Sequence, residues 1–335
     1  MTGIVSKVQT SAAAALVLFW SSMDRRRLGS SDLEVSRLSL GSWRTYERIP
    51  KDAGVAVMRK AREEGINFLD DARYNDETGE APLKTGYSEV VFGKLFRAAG
   101  WKRDQVILAN KLWWEFWPEQ SAAQELDASL QRMRIDHIDL AYAAEPPEGF
   151  ALEQLVEDVT ALITAGKLRA WGVLNWRPSL IADAARIASR AGVAGPCAAQ
   201  LPYSLVLRSP VEDAEMVQAL EEAKVSVVAS YTLYGGALTG KYSQPGAEGR
   251  VTARIDERDY SRARSVGEEL SRFARKHQAR PAAMAVAFAL LNSHVASVLF
   301  GATRPEQVEE NIGAIGILAA LDQATIEGLK LIGAR

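Results

Sequence analysis

The 335-residue sequence predicts a single α/β domain folded as a (β/α)8 TIM barrel with a long loop after strand 7. Two observations predict it. Short apolar runs alternate with amphipathic segments, and about eight such runs occur, which is the number of strands that closes such a barrel. No linker or low-complexity tract interrupts the alternation, which favours one large domain over two smaller ones.

The individual elements follow from hydrophobic periodicity. Strands are predicted at the apolar or β-branched runs Leu38–Leu40, Asn67–Leu69, Val106–Ala109, His137–Tyr142, Leu168–Val173, Cys197–Leu201, Val225–Ser230 and Val295–Phe300. Helices are predicted at the amphipathic segments Ala53–Glu64, Ser88–Arg97, Gln120–Arg132, Glu153–Ala165, Ser179–Arg190 and Glu212–Ala223. Strands that alternate with helices are parallel and are covered by those helices. The polar segment Gly235–Ala263, rich in Gly and Arg, is predicted to be a loop over the barrel mouth.

Composition narrows the chemistry. Forty-two acidic against forty basic side chains give a net charge of −2, which provides no electrostatic reason to expect nucleic acid or an anionic membrane as a partner. One cysteine and three histidines exclude an intrachain disulfide and a Cys/His zinc cluster, so no metal site is predicted. The motifs GxGxxG, GxxxxGK[ST] and GxSxG are absent. Carboxylates, tyrosine, lysine, backbone groups or a bound organic cofactor must therefore supply the chemistry.

The first 22 residues differ from the rest of the chain. The apolar run Ala12–Trp20 is shorter than the roughly 20 residues that span a bilayer, and three arginines follow at Arg25–Arg27. Two interpretations stay open for residues 1–22: a disordered N-terminal extension or a weak targeting segment. The barrel domain is expected over residues 23–335, in a cytoplasmic protein.

Polar residues follow nearly every predicted strand, at the end of the barrel where active sites of this fold lie. These residues are Asp70, Asp71, Tyr74, Lys111, Glu145, Asn175, Gln200, Ser230, Tyr231 and the segment 301–303. The placement predicts a site assembled from several strand ends.

Asp70, Tyr74 and Lys111 form a chemical unit within this set. A lysine beside a tyrosine stabilises the phenolate and lowers its pKa from about 10, while a paired aspartate holds the lysine. Such a tyrosine can act as a general acid toward a carbonyl oxygen. The alternative is that Asp70 caps a helix and Lys111 is an ordinary cation at a strand end.

Five segments resemble one family. They are residues 65–74 (GINFLDDARY, similar to GxNFxDTAxxY), 106–111 (VILANK), 165–175 (AGKLRAWGVLN, similar to GKIRxxGxSN), 235–242 (GGALTGKY) and 301–313 (GATRPEQVEENIG). From Arg26 to about Leu321, the sequence resembles the aldo-keto reductases, most closely their branch containing the voltage-gated potassium channel β subunits.

The resemblance implies a barrel that binds NADP(H) across its mouth and transfers hydride to a carbonyl. By position, Asn175 and Gln200 would hold the nicotinamide carboxamide, and Leu233, Gly235 and Lys241 would lie along the pyrophosphate. The adenosine half would contact the segment that contains Gly301, Thr303, Gln307, Glu310 and Asn311. Arg304, Arg250 or Arg254 would lie near the 2′-phosphate, with backbone at Gly41, Ser42 and Trp43 completing the cradle.

Three departures from the family pattern concern the tyrosine and the nicotinamide. The spacing from Asp70 to Tyr74 is one residue short, with Tyr87 a weaker substitute. Leu174 replaces the serine before the carboxamide-binding asparagine. Ser230 stands where an aromatic ring would stack on the nicotinamide, and Tyr231 fills that role only if the strand is offset.

A fourth departure follows the fourth strand, where Ala144 replaces the family's histidine. Glu145, one position later, could replace it in a protonated form if desolvation raises its pKa. The alternative is a solvated glutamate at the rim.

The leading hypothesis is an NADPH-dependent reductase of a small aldehyde or ketone. Trp113, Trp114 and Trp117 either form an apolar or aromatic substrate wall or pack between loop and barrel. The missing histidine motivates a rival, a nicotinamide-cofactor-sensing binding protein with slow or vestigial reductase activity. A barrel enzyme of other chemistry is a third possibility, and the sequence is compatible with an oligomer.

Overall fold

The computed structural model describes residues 23–244 and 246–334 and contains a closed barrel of eight parallel strands. The strands are β3 (Leu38–Gly41), β4 (Phe68–Asp70), β5 (Ile107–Leu112), β6 (Ile138–Ala143), β7 (Leu168–Leu174), β8 (Ala198–Pro202), β9 (Ser226–Ser230) and β10 (Val295–Phe300). Each overlaps one predicted apolar run, and pairing of β10 with β3 closes the barrel. The predicted (β/α)8 fold class is confirmed. The expected extension over residues 1–22 lies outside the described residues.

Helices surround the barrel. They are α1 (Lys51–Glu63), α2 (Tyr87–Ala98), α3 (Ala122–Met133), α4 (Leu152–Thr164), α5 (Pro178–Ala191), α6 (Ser209–Glu212), α7 (Ala214–Ala223), α8 (Arg258–Lys276), α9 (Pro281–Leu290), α10 (Pro305–Ala320) and α11 (Gln323–Leu331). Ser121 and Gln124 form a capping box that starts α3. The predicted helix over 212–223 is instead α7 preceded by the short α6, because Asp213 has an extended backbone.

An antiparallel hairpin of β1 (Arg25–Arg27) and β2 (Glu34–Ser36) precedes the barrel and was not predicted. Its apolar residues Leu28, Leu33 and Val35 are fully buried with side chains of the barrel interior. A two-stranded ribbon is marginal alone, so its stability comes from the contact with the barrel. The local pattern around three arginines could not show that contact. Cys197 belongs to the same cluster, where burial raises the pKa of its thiol to about 12.

Alternation along the strands explains how polar groups come to lie inside the mouth. Successive side chains of a strand point to opposite faces, so every second residue points into the barrel. Phe68 and Ile107 belong to the apolar interior cluster. Two and four residues further along the same strands come Asp70 and Lys111, and Gln200 follows buried Ala198 in the same way.

The loop after β9 is confirmed, although α8 begins before Ala263. The loop contains 3₁₀ turns at Tyr234–Thr239, Lys241–Ser243 and Thr252–Arg254. Its own apolar cluster consists of Ala237, Tyr242, Val251, Tyr260 and Ala263. Of the helices within residues 23–244 and 246–334, none is long and apolar enough to span a membrane.

Candidate active site

Asp70, Tyr74 and Lys111 meet at the barrel mouth. Lys111 Nζ lies 2.6 Å from Asp70 Oδ1 and 3.2 Å from the Tyr74 hydroxyl, and the lysine is 5 % exposed. The prediction that these side chains come together is therefore confirmed as geometry. Their catalytic roles remain a prediction.

The short spacing between Asp70 and Tyr74 does not keep the tyrosine out of the site, because Ser88 holds the turn. Ser88 Oγ donates to the carbonyl oxygen of Ala72 at 2.7 Å and accepts from the backbone N–H of Tyr74 at 3.3 Å. Ser88 lies in the first turn of α2, so a tertiary contact sets the turn. Ser88 was not among the predicted site residues, because its role depends on this contact between α2 and the turn.

Two opposing effects act on the pKa of Tyr74, and Lys111 supplies only one of them. Burial of the hydroxyl raises the pKa of Tyr74 above its ordinary value, and Lys111 opposes this shift. Burial also lowers the pKa of Lys111, but Asp70 and Tyr74 raise it by more. The expectation of a lowered tyrosine pKa is therefore wrong in sign, since burial outweighs the lysine. The phenol stays protonated at neutral pH, as a proton donor must.

Gln200 holds the second oxygen of Asp70. Its Nε2 donates to Asp70 Oδ2 at 2.9 Å, and both side chains are buried. The amide nitrogen predicted to hold a carboxamide is thus engaged with the aspartate. The sequence contained no signal for this pairing, because the two residues are 130 positions apart.

Asn175 lies at the end of β7 with an exposed side chain. Its φ is 56°, in the left-handed region that Asn tolerates better than most residues. Its backbone N–H donates to the carbonyl oxygen of Gln200 at 3.0 Å. Within the described residues its side-chain amide has no hydrogen bond, so it is available to a ligand.

Asp71 is a buried carboxyl beside the site, at 0 % exposure. Its Oδ1 accepts a short hydrogen bond from Ser42 Oγ, and its Oδ2 has no partner among the described residues. Burial and the nearby Glu89 raise the pKa of Asp71 well above its usual range. Ser42 also donates its backbone N–H to the carbonyl oxygen of Asp70 at 3.1 Å. The backbone N–H of Ser42, which was expected to face a cofactor, is therefore hydrogen-bonded to the end of β4 instead.

A cavity of about 490 Å³ opens next to Tyr74. Trp43, Tyr87 and Trp113 supply aromatic walls, and the charged residues that line it are Arg44, Glu47, Arg48, Arg73, Asp76, Glu77 and Glu115. Trp114 and Trp117, which were also candidates for the substrate wall, pack on Phe150 instead. Their ring centroids lie 5.1 Å and 5.0 Å from that of Phe150. Of the three predicted wall residues, Trp113 alone therefore lines this cavity.

Comparison with known proteins shows the family to which this chain belongs. Residues 37–332 match the model of the aldo/keto reductase family. The chain belongs to the aldo/keto reductase family. The chain is also similar to two proteins named "Probable voltage-gated potassium channel subunit beta". The one from Arabidopsis thaliana is 25 % identical over 325 residues, and the one from Oryza sativa subsp. japonica is 27 % identical over 329. Each alignment covers 92 % of this chain and 96 % of the relative.

Membership in the aldo/keto reductase family supports an oxidoreductase. The family generally uses NAD(P)H and acts on small carbonyl compounds. In the described part of this member, no group of three or more His, Cys, Asp or Glu side chains is arranged to hold a metal ion.

Glu145 does not have the environment proposed for it in this aldo/keto reductase. Its side chain is 45 % exposed and pairs with Arg177 at 2.7 Å. The desolvated environment expected for Glu145 is not observed, because the rim is open there and the carboxylate forms an ion pair with Arg177. Ala144 is fixed by hydrogen bonds of its backbone to Leu112 and to Trp114 Nε1.

The side chain of Tyr231 contacts other tyrosines and does not take the position predicted for it. Its hydroxyl lies 2.6 Å from that of Tyr260, and its ring packs on Tyr234 with centroids 4.8 Å apart. Its φ of 57° turns it toward the loop cluster. The strand offset that would bring this ring over a nicotinamide is not observed, and Ser230 remains the last residue of β9.

Two of the predicted cofactor-binding residues are glycines that lie against neighbouring side chains. A Cβ on Gly301 would lie 3.1 Å from Thr45 Oγ1 and 3.4 Å from Arg250 Nη2, and one on Gly41 would lie 3.1 Å from Leu299. A side chain at either position would crowd these neighbours, so the chain is closely packed at both glycines.

Three predicted residues lie in the loop after β9. Gly235 has a φ of 64°, and a Cβ there would come within 2.5 Å of Val251. Leu233, half-buried, precedes the same turn. Lys241 Nζ makes one long hydrogen bond, 3.5 Å, to the carbonyl oxygen of Glu248.

The predicted adenosine segment is organised around the start of α10. Gln307 Oε1 accepts from the backbone N–H of Thr303 at 2.7 Å and from that of Arg304 at 3.3 Å, so its amide caps the helix. Asn311 Nδ2 donates to the Gln307 carbonyl oxygen at 2.8 Å, while the buried Asn311 Oδ1 has no partner among the described residues. Glu310 is half-buried.

Proposed function

We propose that this protein is an NADPH-dependent reductase that converts the carbonyl of a small aldehyde or ketone to an alcohol, with Tyr74 as the general acid. The observation that carries the proposal is the position of Lys111 Nζ, within hydrogen-bond distance of both Asp70 and the Tyr74 hydroxyl. The 490 Å³ cavity beside that hydroxyl offers room for a small substrate.

The side chains divide the proton chemistry between them. When bound, the nicotinamide cofactor supplies the hydride. Tyr74 donates its proton to the carbonyl oxygen as negative charge develops there. The Lys111 ammonium stabilises the phenolate that remains. Asp70 holds the ammonium in place, and Gln200 holds Asp70.

The residues at the mouth fit a dinucleotide phosphate. Arg250 Nη2 provides a cation beside Gly301, and Lys241 provides one beside Gly236 in the loop after β9. The side-chain amide of Asn175, which has no hydrogen bond within the described residues, is available to a carboxamide. The unpartnered Asn311 Oδ1 offers an acceptor at the adenosine end. A preference for NADP(H) rests on Arg304, which is exposed and forms no salt bridge within the described residues.

Titration of the protein with NADPH and NADH, followed by tryptophan fluorescence, tests cofactor binding. Arg304→Gln should weaken NADPH binding and leave NADH binding nearly unchanged. Steady-state turnover of aliphatic and aromatic aldehydes and ketones tests the chemistry. A folded protein that binds neither nucleotide would contradict the proposal and favour a barrel enzyme of other chemistry.

A second candidate function is a nicotinamide-cofactor-sensing binding protein with slow reductase activity. Two observations favour it: Ala144 stands at the family's histidine position, and the two relatives carry the name of channel β subunits. Tight NADPH binding with a single turnover but no sustained turnover would select this candidate. A cytoplasmic location, an oligomer and the lack of nucleic-acid or membrane partners remain predictions.

A further inference from the structure

A second cavity, of about 750 Å³, lies outside the candidate active site. It is formed by the second half of α8, the start of α9 and the 3₁₀ turn at Lys241–Ser243, and we name it the basic groove. It shares no lining residue with the cavity beside Tyr74. We propose that the basic groove binds an anion that carries several phosphate groups.

Charge is the first support for this proposal. Lys241, Arg272, Arg275 and Arg280 line the groove, against the single carboxylate of Glu268. This excess of positive charge occurs in a chain whose net charge is −2, so it is local to the groove. A cavity lined by charges of one sign concentrates oppositely charged ligands.

The cations are available for a ligand. Within the residues that the structure describes, none of the three arginines forms a salt bridge or a side-chain hydrogen bond. Glu268 forms no salt bridge with them within the described residues; its Oε1 accepts a hydrogen bond from Ser243 Oγ at 2.9 Å. Among the described residues, the guanidinium donors of the groove therefore have no acceptor.

Spacing favours several phosphates over one. Arg272 and Arg275 are three residues apart on α8, which places them on the same face at about 4.5 Å of rise. Arg280 follows as the N-cap of α9, and no side chain caps the first N–H groups of that helix. A chain of phosphates can contact successive donors along this path, whereas one phosphate reaches fewer of them.

The lining also argues against a protein partner. Ala279 and Pro281 are the apolar side chains that the groove presents, and it contains no aromatic residue. Protein interfaces usually depend on buried aromatic or aliphatic anchors. Fork-shaped guanidinium donors match phosphate geometry instead.

Calorimetric titration of the full chain with tripolyphosphate tests the proposal, with and without saturating NADPH. Tripolyphosphate and ATP should bind, adenosine should not, and affinity should fall as salt rises. Arg272→Gln with Arg275→Gln should weaken binding by about tenfold for each guanidinium removed. Arg190→Gln, at an exposed arginine of α5, is the matched control and should change nothing.

Three results would overturn the proposal. Full affinity in the double variant would place the anion elsewhere. Displacement of tripolyphosphate by NADPH would assign the ligand to the cofactor site, which Lys241 is also predicted to contact. Binding of hexaglutamate in preference to tripolyphosphate would make the groove a peptide site. Because the measurement without NADPH does not depend on cofactor binding, failure of the proposed reductase function would not affect it.

Discussion

Gln200 on β8 donates its side-chain amide to Asp70 on β4, the strand opposite it in the barrel, at 2.9 Å. Since Lys111 occupies the other carboxylate oxygen at 2.6 Å, both oxygens of Asp70 are engaged. The charge that holds Lys111 beside Tyr74 is thus fixed within the barrel. Groups held in place before substrate arrives stabilise developing charge without the cost of reorganisation.

Replacing Tyr74 with phenylalanine removes the proposed acid and leaves the ring. Carbonyl turnover should fall by about 10²- to 10⁴-fold, the range usual for loss of a general acid, with NADPH affinity nearly unchanged. NADPH consumption and a binding titration measure the two quantities. Tyr87→Phe is the control, because Tyr87 lines the same cavity but is not a partner of Lys111. Loss of turnover in the control rather than in Tyr74→Phe would assign the acid to Tyr87.

Replacing Lys111 with methionine leaves Asp70 buried without its cation. Breaking one partner of a buried ion pair costs about 3–5 kcal/mol, so urea denaturation should show a loss of that order. Adding Asp70→Asn should restore most of the stability, since the uncompensated charge is then gone, but should not restore activity. A double variant as unstable as the single one would show that packing dominates.

Asp71→Asn should change how stability depends on pH. Because burial raises the pKa of Asp71 in the folded protein, the stability linked to its protonation is complete below the unfolded pKa of about 3.9 and falls as pH rises toward the folded pKa. Within that window the loss is about 1.4 kcal/mol per pH unit for one proton. The variant keeps an acceptor for Ser42 and lacks this loss, so its stability relative to the wild type should rise with pH. Urea denaturation at a series of pH values measures this difference. The same dependence of the unfolding free energy on pH in both proteins would contradict the prediction.

Arg250 joins the loop after β9 to the segment after β3. Its Nη2 donates to the carbonyl oxygen of Trp43 and to Thr45 Oγ1, both at 3.2 Å, and its guanidinium lies over the Trp43 ring at 5.5 Å. Arg250→Ala should therefore increase hydrogen exchange of the loop amides over residues 234–257 and cost about 1 kcal/mol of global stability.

Arg254→Ala is the control for the Arg250 variant. Arg254 pairs with Glu257 inside the same loop at 2.8 Å, so removing it leaves the connection to Trp43 intact. Equal exchange in the two variants would show that Arg250 does not anchor the loop.

The candidate site was predictable to the extent that it depends on strand order. Asp70 and Lys111 follow apolar runs that had to be neighbouring parallel strands, so their meeting could be expected. The environments of Glu145 and Tyr231 could not be predicted. Exposure at the rim and the contacts with Arg177 and Tyr260 depend on loops, and loops carry no periodic signal.

The sequence by itself determined the number of barrel strands, their parallel order and the rim on which the polar residues lie. Periodicity records which face of an element is apolar, and that is a local property. The tertiary structure decided which group each polar atom contacts and how far each is removed from water. The pairing of Asp70 with Gln200, the burial of Asp71 and the exposure of Glu145 all arise from segments distant in the chain, so no local pattern records them.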